Sequence, residues 1–162
     1  MAARDVMLIA VLLFSFGLGF FILNFVVTTS IDHITNTTAI NESQQVVDAF
    51  DSAKVVVNKL DYLILTMFIG LVLGLIISGW FIGGNPLFMF IYFIVVTLVV
   101  TISTVLSNIW ESVTQASIFG TTIASMPITN HLLLTLPYYI AVIGIIGLIV
   151  MFAKPYFQEN YQ

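Results

Sequence analysis

Residues 62–109 hold two apolar runs, Tyr62–Ile82 and Leu87–Ile109, with no charged side chain in either, joined by Gly83-Gly84-Asn85-Pro86. At 1.5 Å of rise per residue, each run is long enough as a helix to cross a hydrocarbon layer of about 30 Å. The turn between them permits only an antiparallel return, and Pro86, which lacks a backbone donor, marks the break. The stretch reads as a transmembrane helical hairpin.

Two more runs flank it. Val6–Val27 exceeds the roughly 7–15-residue core of a secretory signal and is followed by Thr28-Thr29-Ser30 instead of a small-x-small cleavage site, so it reads as a retained span. Leu132–Ala153 is the fourth run, with Pro137 placed to kink its first turns and Lys154-Pro155 to end it. The expected fold is an all-α integral membrane protein with four transmembrane helices at about 6–27, 62–82, 87–109 and 132–153 and exterior segments 28–61 and 110–131. A helical extension of the second span and a surface-lying segment between the third and fourth complete it.

Composition narrows the chemistry. Of the 162 residues 60% are hydrophobic and 7% charged, against about a quarter charged in a soluble domain. Eight acids and four bases, net −4, form no basic patch for nucleic acid and no polybasic segment for anionic lipid. With no cysteine, disulfides, thiolate metal sites and thiol catalysis are all removed.

The exterior segments differ in kind. Thr28–Ile40 is polar without a period and reads as an exposed loop, with sequons at Asn36 and Asn41. From there Val46, Phe50, Ala53, Val57 and Leu60 recur in steps of four and three, a narrow apolar stripe that needs a partner face. The same rhythm continues through Ile64, Met67 and Leu71, and Asn41 with Gln44 makes a capping-box start. One helix from about Glu42 to Ile82 is therefore expected, roughly 60 Å long and standing clear of the bilayer, the alternative being an amphipathic helix that lies flat on the interface and bends near Asp61. Its stripe would be covered by Ser112–Asn130 or by a neighbouring subunit.

Small residues mark where helices can approach closely. Gly70, Gly74 and Ser78 form a ridge on the second span, and Ser15 with Gly19 a shorter one on the first. On the third span Thr97, Thr101, Thr104 and Asn108, with Glu111 beyond, place polar groups on one face. Such a stripe either lines a water-filled path or, as the simpler reading, bonds its own helix and a neighbouring one. Asn24 and Asp61 read as boundary residues, and Trp110 as an interfacial anchor.

Catalytic constellations are missing: the span interiors hold no Asp, Glu, Lys, Arg or His, and no metal-binding or nucleophile motif occurs. His33 and His131 fall in different exterior segments without ligand spacing, so neither a metal nor another cofactor is expected. The loop layout resembles that of claudin-like proteins in outline only, since the paired cysteines and tryptophan motif of their first loop are absent, as is the cysteine signature of tetraspanins. Basic residues are nearly balanced across the membrane, and the long polar loops favour termini on the cytoplasmic or interior side. The function expected is that of a non-enzymatic structural or assembly protein. It would pack with copies of itself or with other membrane subunits, as in a virion membrane or a larger membrane complex, and have no small-molecule substrate. The rival is a channel or transporter subunit using the Thr97–Asn108 face.

Overall fold

The computed structural model describes residues 2–36, 43–82 and 86–159. Seven α-helices occur among them: α1 (Ala2–Thr35), α2 (Gln44–Asn58), α3 (Leu60–Ile82), α4 (Pro86–Thr114), α5 (Gly120–Ser125), α6 (Pro127–Leu134) and α7 (Leu136–Glu159). A single 3-10 turn, Ser117–Phe119, precedes α5, and the described residues include no strand. Four stretches are long and apolar enough to cross a membrane: Arg4–Thr35, Gln44–Phe81, Leu87–Thr114 and Leu136–Ala153. Their outward faces carry exposed Leu8, Phe16, Leu73, Phe93, Ile145 and many more large apolar side chains. A soluble monomer does not expose apolar surface on this scale. The chain is an all-α multi-pass membrane protein.

The first helix is longer than its apolar run. Thr28–Thr35 was expected to be loop but continues α1, for a total of 34 residues or about 50 Å. No proline or glycine stops it, and Ile31, one heptad beyond Asn24, stays buried. Its partner is α2, which lies alongside. The exposed pair Lys54–Asp32, 2.6 Å apart, adds little stability at that position. The stripe on α2 is thus covered chiefly by the extension of α1, not by Ser112–Asn130. Val57 is buried, Phe50, Ala53 and Leu60 are half-buried, and Val46 stays exposed. Leu60 alone of the five also packs against the later segment, near Met126 and Ile123.

The expected single helix over 42–82 is interrupted at Lys59. There the N–H bonds to both Val55 O and Val56 O, at 3.3 and 3.0 Å, and the ladder tightens before resuming in α3. Ser43 is the N-cap of α2 and makes no side-chain cap bond. Gln44 bonds Asp48 at 3.0 Å instead of reaching back as in a capping box. Asn41 lies outside the described residues.

The hairpin pairing is also corrected. Although α3 and α4 are consecutive and antiparallel, each packs mainly on α1 and α7, which occupy the middle of the bundle. Glycine placement decides this. Gly144 and Gly147 of α7 receive the Val96 and Tyr92 side chains of α4, while Gly79 of α3 meets the Gly147 carbonyl. The main core, with Leu13, Leu75, Val99 and Ile140, runs between these helices. A smaller cluster of Phe21, Trp110, Met126 and Leu133 closes one end. At the opposite end Ser78 donates to the Asp5 carboxylate at 2.7 Å, which places the start of α1 beside the end of α3.

The fourth run is split. Thr135 separates α6 from α7, so the long helix begins at Leu136, with Pro137 in its first turn and not kinking a helix from Leu132. The backbone remains helical through Lys154-Pro155 to Glu159.

Candidate functional site: a buried polar clamp

The α6 helix begins on Pro127, which has no N–H, after an N-cap residue, Met126, that has no side-chain oxygen. Its next two N–H groups therefore need an acceptor from elsewhere in the chain. Asp61 supplies it from the first turn of α3. One carboxylate oxygen accepts from Ile128 N at 3.0 Å, and the other from Thr129 N and Thr129 Oγ1, both at 2.7 Å. Asp61 is 3% exposed and Thr129 is fully enclosed. The carboxylate thus sits at the positive N-terminal ends of two helices at once.

Around it the same end of the bundle is tied by other polar contacts. The Asn24 amide donates to Val57 O at 3.4 Å and to Asn58 Oδ1 at 3.3 Å. Its oxygen accepts from Thr28 at 3.3 Å and lies 3.4 Å from the Ser125 hydroxyl, which donates to Thr122 O at 2.8 Å. Ser107 of α4 donates to Leu134 O at 2.6 Å, meeting a carbonyl freed by the break at Thr135. Trp110 donates from its indole to Asn130 Oδ1 at 3.0 Å, and its ring stands edge-on to Phe21 with centroids 4.9 Å apart. So α1, α2, α3 and α4 are each pinned to the α5–α6 segment or to one another by side chains of matched donor and acceptor character. Two boundary readings are thereby corrected. Asn24 is 1% exposed instead of meeting headgroups, and Trp110 is enclosed instead of anchoring at an interface.

The residues singled out in the sequence lie elsewhere, and mostly outward. Ser15 and Gly19 are exposed, and nothing approaches the Cβ positions of Gly19, Gly70 or Gly74. Ser78 donates to Asp5 of the neighbouring α1. Thr97, Thr101, Thr104, Asn108 and Glu111 are all exposed, and the three threonine hydroxyls donate to Phe93 O, Thr97 O and Val100 O, each at 3.0 Å. Sequence reasoning missed Asp61, Thr129 and the glycines of α7. The one available signal was Pro127 opening a helix behind a residue that cannot cap it.

Chemically the clamp is a carboxylate acceptor engaged by two backbone N–H groups and one hydroxyl. Among the described residues no three His, Cys, Asp or Glu side chains are grouped to hold a metal ion. Among the described residues three cavities are outward-opening grooves between helices. One of about 310 Å3 is lined by Met89, Phe90, Phe93, Leu148 and Phe152, and one of about 270 Å3 by α3 and α7. A third, of about 330 Å3, has His131 and Tyr139 on its rim, with their rings 6.2 Å apart. Comparison with protein-family models, curated proteins and solved structures finds no match to this chain.

Proposed function

We propose that this protein is a non-enzymatic structural subunit that assembles in the bilayer with copies of itself or with other membrane proteins. One observation carries the reading. At one end of the bundle Asn24, Asp61, Ser107 and Trp110 hold helices together, whereas the close-approach ridge at Gly70 and Gly74 is presented outward with nothing against it. An outward glycine ridge serves a helix from another molecule, because it lets a second backbone come near. A membrane-bounded particle or a larger membrane complex is the natural setting for such a subunit.

A second reading has its own observation, the outward polar face of Thr97, Thr101, Thr104 and Asn108. In a ring of subunits that face would line a path, making the protein a channel or transporter subunit.

Two measurements separate these readings. Protein reconstituted in liposomes is expected to pass no ion or solute selectively, and selective flux would favour the second. Gly74→Ile is expected to weaken association in bilayers while leaving the thermal stability of the single chain within about 0.5 kcal/mol, as for a surface change. Unchanged association would show that this ridge meets lipid.

A further inference from the structure

The helix α4 carries two seams. The inner one, through Tyr92, Val96, Val99, Ser103 and Trp110, is buried in the bundle. The outer one, Phe90, Ile94, Thr97, Thr101, Thr104, Asn108 and Glu111, advances in strict alternation of four and three, and every member is exposed. A 4-3 spacing of this length is the pattern of a helix that pairs with another along a left-handed seam. Within the apolar runs 6–27, 62–82 and 136–153 the described outward faces are aliphatic, aromatic or glycine, and the hydroxyls of Ser15, Tyr62, Thr66 and Tyr138 form no run as long as that on α4. Lipid does not call for a polar seam on one helix alone.

The geometry points to this outer seam as a self-association surface, where α4 of one copy pairs in parallel and in register with α4 of a second copy. This rests on the reading that the chain assembles in the membrane, and it names the partner. Copies of one chain inserted by one route share one orientation, so a two-fold axis must run along the membrane normal. Each seam residue then meets its own counterpart at the same depth.

The side chains suit that symmetry. The three threonines have satisfied their hydroxyls on their own helix and present short, stiff, branched surfaces for close packing. Among the described residues the Asn108 carboxamide has no hydrogen-bond partner, and only its backbone carbonyl accepts, from Ser112. A carboxamide is both donor and acceptor, so a second Asn108 facing it satisfies both groups. An asparagine on such a seam fixes register and favours pairs over larger bundles. The close contact ends at Asn108, because Glu111 meeting its counterpart would bring two like charges together.

Because the chain has no cysteine, single-cysteine variants give unambiguous cross-links. In native membranes Thr104→Cys is expected to form a disulfide-linked dimer on mild oxidation, and Ile102→Cys, exposed but off the seam, is not. Asn108→Leu in liposomes, read by energy transfer between labelled copies, is expected to weaken pairing about 3- to 20-fold. The inference is overturned if Thr104→Cys cross-links no better than Ile102→Cys, or if Asn108→Leu pairs as well as the parent. A Gly74→Cys variant distinguishes the cases. Cross-linking there without cross-linking at Thr104 refutes this surface but keeps assembly, whereas no cross-link at any position refutes both.

Discussion

Asp61→Ala is expected to destabilise the protein by about 2–4 kcal/mol, the sum of lost hydrogen bonds to a charged acceptor and two orphaned N–H groups. The loss should appear as a lower unfolding temperature in detergent and as faster proteolysis within 115–126, the stretch joining α4 to α6. No other acceptor stands ready, since Met126 cannot cap the helix that it precedes. Asp61→Asn keeps one acceptor oxygen and should lose less. An alanine variant as stable as the parent would mean that α6 is held by its apolar contacts through Leu132 and Leu133 alone.

Gly144→Leu is expected to be as damaging, by a different route. A Cβ added at Gly144 collides with the Val96 side chain, and a β-branched valine has little freedom to turn aside. The helices α4 and α7 must then separate, at a cost of about 1–3 kcal/mol for the overpacking and more where buried contacts are lost. The same change at Gly74, where nothing lies within 4 Å, should leave the single chain's stability alone. Thermal unfolding of the two variants side by side measures the contrast. Equal losses at both sites would contradict the helix arrangement described here.

These two sites show how far the sequence could be read. Spans were legible because apolar length and the absence of charge dictate them, and the 4-3 rhythm from Val46 onward correctly announced a helical extension. Neighbour relations were not legible. The short turn at Gly83–Pro86 announced an antiparallel return but not which helices pack, because packing follows where a large side chain finds a glycine, and Val96 finds Gly144 on the last helix. Facing was not legible either: Asn24, Asp61 and Trp110, read as boundary residues, all turn inward, where the α5–α6 segment brings Ser125, Thr129 and Asn130 beside them. Conversely, the threonines of α4 were recognisable as one face, while only the packed bundle shows that this face points outward. Small residues drew notice by spacing alone: Gly70 and Gly74 face outward, while Gly17, Gly79, Gly144 and Gly147 make close contacts within the chain.

The mass of the full chain held in native-lipid particles, taken without detergent exchange, tests most directly whether this is an assembling subunit. Two or more copies of the 17.9 kDa chain per particle are expected, and that number should fall on Gly74→Ile or Asn108→Leu. A single 17.9 kDa chain at every lipid ratio, with no other protein bound, would contradict the account.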